Sequence, residues 1–264
     1  YLLIILLSIF LGLYLYELFY INNYFGLKKI FLLKNLNKNQ NLTNIVPPSD
    51  FLKTNDNYKL DFFPLSGISN KKTLHCNENG YYSEYVSDRF GFNNTDKIWD
   101  NENDENVYLI GDSFVHGACI YPKFNFSNNL SKLSKNKVNF FNFGYSGNGP
   151  LLNFAILKEF YNTKFPEKII WFHTEVNDLI DLNKEIEKHI LKKYLIDNNF
   201  SQNYIINYNK YLPHLEKQEK KLKLYDQKKD IFKKFLKLYH LRKNIVSKNY
   251  NDQNLKFVFN DNYK

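Results

Sequence analysis

Three short apolar runs stop abruptly at clusters of glycine and small polar residues, and this pattern constrains the fold more than any other. Val107-Tyr108-Leu109-Ile110 ends at Gly111, Val138 to Phe143 ends at Gly144, and Lys168 to His173 runs through Ile169-Ile170-Trp171-Phe172 into Glu175. A fourth run, Leu255 to Phe259, lies near the end of the sequence. Runs of this length without alternation suit strands buried on both faces. Helical periodicity separates them. Pro150 stands where a helix can start, and Leu152, Ala155, Ile156 and Phe160 then share one face. Strands alternating with helices predict an α/β fold, a parallel sheet covered on both sides. Composition agrees with a packed core. The 264 residues are 44% hydrophobic and 18% aromatic, and two cysteines cannot staple a disulfide scaffold.

The flanks divide the chain. Residues 1–24 open with an uncharged apolar stretch, Tyr1 to Tyr16, that continues past Glu17 into Ile21. This length suits a membrane helix. A signal-peptide core and a buried helix are the alternatives, and no Ala-x-Ala cleavage site follows. Lys28, Lys29 and Lys34 favour a cytoplasmic domain by the positive-inside tendency. Residues 25–73, Asn-rich and carrying Pro47-Pro48, read as a stem. Residues 74–264 form the α/β domain, with a charged helical insertion at about 182–250 that could be a lid. The chain opens at Tyr1 and contains no methionine, so a fragment is expected.

The net charge of +9 comes mainly from lysine, concentrated in segments such as Lys217 to Lys223. Without a recognition motif or an arginine-rich run it reads as solvated helix surface, and no nucleic-acid partner is expected. No metal is expected either, because Cys76, Cys119 and the histidines lack ligand spacing. Cys76 and Cys119 either pair or remain thiols; spacing does not decide.

In open α/β sheets reactive groups collect beyond the carboxyl ends of the strands. After the first run comes Gly111-Asp112-Ser113, where a sharp strand-to-helix turn could expose a nucleophilic hydroxyl, or Ser113 could simply cap the helix. After the second, Asn142-Phe143-Gly144-Tyr145-Ser146-Gly147-Asn148-Gly149-Pro150 could present backbone N–H groups to an oxyanion, or merely connect. After the third, Asn177-Asp178 could offer an amide donor or a helix cap. Each motif is weak alone.

In this order, each at a strand end, they resemble the four-block signature of the SGNH hydrolases, the GDSL-type esterases. Ser87-Asp88-Arg89-Phe90-Gly91-Phe92-Asn93 and Trp171 to Leu182 are similar to the membrane-associated bacterial branch. The resemblance covers roughly residues 75–198. It implies a three-layer doubly wound, flavodoxin-like fold, incomplete at the C-terminus. It implies Ser113 as nucleophile, with the oxyanion held by Ser113 N–H, Gly147 N–H and the Asn177 amide. Asp112 and Asp178 would be supporting groups, and no cofactor is needed. The substrate class would be esters, extending to acylated surface polysaccharide or lipid, on a membrane-anchored and extracytoplasmic (periplasmic) domain.

Two departures stand out. Val176 replaces the glycine usual before the asparagine, and Asp-x-x-His, the family's base, is absent. Residues 1–264 are therefore expected to turn over no ester. His173 is the best-placed substitute base, or else a pocket residue. His116 is too close to Ser113 along the chain to serve, and His75, His189, His214 and His240 have no assignable partner. Two alternatives remain: a binding or assembly protein that kept the fold and lost the site, and a structural membrane protein in which the glycine loops do no chemistry.

Overall fold

The computed structural model describes residues 1–20, 42–52, 62–75, 83–102, 105–175, 177–228, 235–239 and 241–242. It divides into two compact units, Tyr1–Asn37 with Leu224–Lys264, and Lys38–Lys223.

In the first unit, α1 (Leu2–Tyr20) holds Leu2–Phe19, a window with mean hydropathy 2.3, long and apolar enough to cross a membrane by length and composition. A signal sequence meets the same criterion. Its side chains are exposed almost throughout, but Glu17 is fully buried and accepts a hydrogen bond from Leu241 N at 3.0 Å. Tyr14 packs on Phe235, ring centroids 5.1 Å apart, and donates its hydroxyl to Leu236 O. A carboxylate so near an apolar segment needs such a partner. The flanking lysines 28, 29 and 34 lie outside the described residues.

The second unit holds two sheets. β4 (Glu105–Ile110) lies between β5 (Val138–Asn142) and β6 (Lys168–Trp171), all parallel, in the order β5-β4-β6. The first strand is central and its successors flank it, so the winding direction reverses at β4. Between them run α2 (Ser113–His116), α3 (Phe126–Leu133) and α4 (Pro150–Phe160). Alternate β4 side chains enter different cores. Val107 and Leu109 pack with Val115 and Leu130, whereas Tyr108 and Ile110 join Phe141, Phe143, Leu151, Leu152, Ala155 and Phe160. The central strand is thus covered on both faces, as its unbroken apolar run requires.

β6 departs from the expectation of a buried strand. Ile169, Ile170 and Trp171 are 40%, 40% and 39% exposed, because β6 is the described edge and pairs only with β4. The fourth strand, Leu255 to Phe259, lies outside the described residues.

A smaller sheet is made by β1 (Leu42–Asn44), β2 (Lys72–Leu74) and β3 (Glu84–Val86), with β1 parallel and β3 antiparallel to β2. This corrects the stem reading of 25–73 where it is described. Val46, Phe63, Leu65 and Ile68 are buried, so sparse apolar residues in a polar text still anchor the segment. After β6 come α5 (Asp178–Ile186), α6 (His189–Ile196) and α7 (Tyr204–Lys228). The helical text of the expected insertion contributes to the core over its first part, from Leu191 to Tyr211. Leu191, Tyr194, Tyr204, Tyr208 and Tyr211 are buried with Phe160 in the main cluster.

That cluster is rich in aromatic edge-to-face pairs. Phe143 meets Phe92 at 5.1 Å and Tyr108 at 4.7 Å in this way, and Phe160 at 5.1 Å in a tilted pair, between ring centroids. Phe143→Ala should cost about 3–5 kcal/mol, read as a lowered urea midpoint followed by far-UV circular dichroism. An unchanged midpoint would show that this face of the sheet carries little stability.

Candidate functional site at the strand ends

The sheet ladder delivers the first and third segments side by side. Ile110 is paired with Trp171, Phe172 N donates to Ile110 O at 2.9 Å, and a Cβ on Gly111 would stand 3.2 Å from the Phe172 Cβ. The ladder ends there, so Asp112 and His173 are the residues that follow Gly111 and Phe172 as the two segments leave the sheet.

At the first turn the capping question has a clear answer. Asp112 caps α2 by accepting from Phe114 N at 2.9 Å, which leaves Ser113 as the first helical residue, half-buried. Among the described residues the Ser113 hydroxyl takes no hydrogen-bond partner, His173 included.

At the third segment, Asn177 precedes α5 without capping it. Its amide Nδ2 turns to Asp112 Oδ2 at 3.5 Å, the outer limit of a hydrogen bond. Asp178 is buried. Its Oδ2 accepts from Thr174 N at 2.9 Å and lies 2.6 Å from His173 Nδ1. Val176 lies outside the described residues.

The second loop closes over α2. Tyr145 N donates to Gly111 O at 3.2 Å, and a Cβ on Gly144 would sit 2.5 Å from His116 N. Gly147 has φ +79°, a left-handed conformation that favours glycine, and a Cβ there would stand 2.4 Å from Ser49 Oγ. Not all the loop's N–H groups face outward. Glu185, fully buried on α5, accepts from Gly149 N at 2.7 Å, Leu151 N at 2.9 Å and Leu152 N at 3.3 Å. It therefore caps α4 from another helix and ties the second loop to the third segment. Asn148, next in the loop, buries a side-chain amide with no partner among the described residues.

Behind the site, Asn94 exchanges two hydrogen bonds with the backbone of Asn142. Its Nδ2 donates to Asn142 O at 3.1 Å, and its Oδ1 accepts from Asn142 N at 2.8 Å. The Asn142 amide in turn donates to Val115 O at 2.8 Å. Asp88, fully buried, accepts from Phe90 N, Phe92 N, Asn94 Nδ2 and Trp99 Nε1. Burial pushes its carboxyl up to about 6 despite these donors. The block from Ser87 to Asn93 thus shapes the support under the second loop.

Sequence reasoning missed two contributors. Ser146 Oγ lies 2.7 Å from His75 Nε2 and 3.2 Å from His116 Nδ1, and Ser146 N donates to His116 Nδ1 at 3.1 Å. Burial lowers His75 to about 4 and holds His116 well below the usual imidazole range, so both rings are neutral at pH 7 and pin the loop before Gly147. Cys119 is disulfide-bonded; the other cysteine, Cys76, lies outside the described residues. Glu185 is the second missed contributor, and its only sequence signal is the helical spacing from Asp178 and Asp181.

Burial raises Glu185 from 4.5 to about 7, outweighing the three N–H donors. A carboxyl whose folded value is raised adds stability fully present below its unfolded value and lost as pH climbs through the folded one. Glu185 therefore contributes about 3 kcal/mol of pH dependence, declining between about pH 4.5 and pH 7. Glu185→Gln should remove that decline, so its Tm should fall less than wild type over this interval. Parallel Tm curves for the two proteins would show that Glu185 does not titrate there.

No protein-family model matches the chain, and no curated protein is similar to it. Among the described residues no group of three or more His, Cys, Asp or Glu could hold a metal ion.

Proposed function

We propose that the chain is a serine-dependent ester hydrolase or O-acyltransferase of the SGNH type, held at a membrane by α1. The observation that carries this reading is the meeting of the three strand-end segments around Ser113. The Asn177 amide reaches Asp112 Oδ2, and Tyr145 N joins the second loop to Gly111 O. Ser113, Gly147 and Asn177 are all half-buried, while Asp112 and Asp178 are buried, so the groups assigned to substrate are the accessible ones.

In the proposed reaction Ser113 Oγ attacks an ester carbonyl, and the Ser113 N–H, Gly147 N–H and Asn177 amide receive the oxyanion. The acyl-enzyme is resolved by water in a hydrolase or by a sugar or lipid hydroxyl in a transferase. No metal or cofactor enters. A disulfide at Cys119 supports an extracytoplasmic (periplasmic) domain, since such bonds persist in oxidising compartments. Acylated surface carbohydrate or lipid is the substrate class proposed from that placement.

The alternative, an inactive binding protein on the same fold, is favoured by the unpartnered Ser113 hydroxyl. Rapid mixing of the full-length protein with p-nitrophenyl acetate separates the two. An initial burst of nitrophenol near one equivalent marks an acyl-enzyme. The absence of any nitrophenol release above background supports the binding protein.

A further inference from the structure

We propose that His173 is the general base for Ser113 and that Asp178 is its positioning residue. The inference rests on the reading of Ser113 as nucleophile and deepens it. Three observations carry it. His173 Nδ1 lies 2.6 Å from Asp178 Oδ2, an ion-pair distance that turns this nitrogen to the carboxylate and leaves Nε2 on the other side of the ring. Asp178 itself is fixed. It is 1% exposed, its Oδ2 also accepts from Thr174 N at 2.9 Å, and its Oδ1 is buried without a partner among the described residues. A carboxylate held in this way fixes the orientation of the ring beside it. The β4–β6 ladder ends at Ile110–Trp171, and a Cβ on Gly111 would stand 3.2 Å from the Phe172 Cβ, so His173 follows directly beside the turn that carries Ser113, with its side chain 52% exposed.

A nucleophile, a base and a buried carboxylate that orients the base are the three parts this chemistry requires. Here the base comes from the end of β6 and its carboxylate from the first residue of α5, five positions apart along the chain. Ser113 Oγ–H gives its proton to His173 Nε2 as the Oγ–C bond forms and the carbonyl electron pair moves to oxygen. Collapse breaks the bond to the leaving alkoxide, which takes the proton from Nε2 as the alcohol. Water repeats the cycle in reverse roles and releases the acid. The Ser113 hydroxyl closes on Nε2 when substrate enters, as catalytic contacts often tighten only in the complex.

The test uses the full-length protein and a fluorophosphonate, with the labelling rate followed between about pH 6 and pH 9. Wild type should label with a rate that levels off once the base is neutral. His173→Gln should be slower by about 100- to 10,000-fold, and its rate should climb steadily with hydroxide and reach no plateau. Loss of the plateau is a signature that a merely structural role would not produce. Asp178→Asn should lower kcat with KM little changed; because Asp178 is buried, His173→Gln remains decisive if that variant does not fold. A His173→Gln rate near wild type, or one that keeps the plateau, while Ser113→Ala does not label, overturns the inference and leaves the serine reading standing. Equal labelling of Ser113→Ala and wild type overturns the serine reading itself.

Discussion

Ser113→Ala is expected to abolish ester turnover, leaving at most the residual rate supplied by binding and the oxyanion donors. In other serine hydrolases, loss of the nucleophile costs about 10⁶-fold in kcat. The fold should survive the change. Ser113 is the first residue of α2, but the helix cap is Asp112, whose carboxylate holds Phe114 N. Removing the hydroxyl breaks no hydrogen bond among the described residues. The measurement is kcat on a simple acetyl ester beside a thermal unfolding curve. Lost activity with an unchanged Tm supports the assignment, and retained activity refutes it.

Asn177→Ala is the second large effect. An amide that donates to a developing oxyanion acts in the transition state, so its loss should fall on kcat. The expected reduction is about 100- to 1,000-fold, or 2.7–4 kcal/mol. KM should change little. Asn177 supplies no side-chain cap to α5, so the helix loses nothing by the change. Its one side-chain hydrogen bond among the described residues, 3.5 Å to Asp112 Oδ2, is long and leaves the amide able to turn toward a substrate. An unchanged kcat would show that the amide is outside the reacting centre. Asn177→Asp should be as damaging or worse, because a carboxylate repels the oxyanion.

Much of the central sheet was legible in the sequence. Val107 to Ile110 is uninterrupted because these residues are buried on both faces of the central strand, and the face of α4 was visible in the spacing of Leu152, Ala155, Ile156 and Phe160, each fully buried. The Ile169-Ile170-Trp171 run looked the same on paper yet is half-exposed at the edge of the sheet among the described residues, since composition cannot report how many neighbours a strand has. The strands of the smaller sheet are three residues each, too short to show alternation in an Asn-rich text.

Within the site, the three strand-end motifs were readable because each sits next to its strand. The groups that hold them in place were not. His75 meets Ser146 across 71 positions and Gly149 meets Glu185 across 36, contacts that exist only once the chain is folded. Asp112 rather than Ser113 caps α2, a choice that both residue types permit and only backbone geometry decides. The pairing of His173 with Asp178 lies between these cases. Both residues are near the third strand, but nothing in their order shows that one ring nitrogen turns to a buried carboxylate.

The central claim is that Ser113 is a nucleophile, and mapping a covalent adduct tests it most directly. The full-length protein would be treated with a fluorophosphonate, digested, and the modified residue located by mass spectrometry. The account predicts one stoichiometric adduct, on Ser113, that is lost in Ser113→Ala. A stoichiometric adduct on another residue, Ser146 beside His75 included, or no adduct from a folded protein, would contradict it.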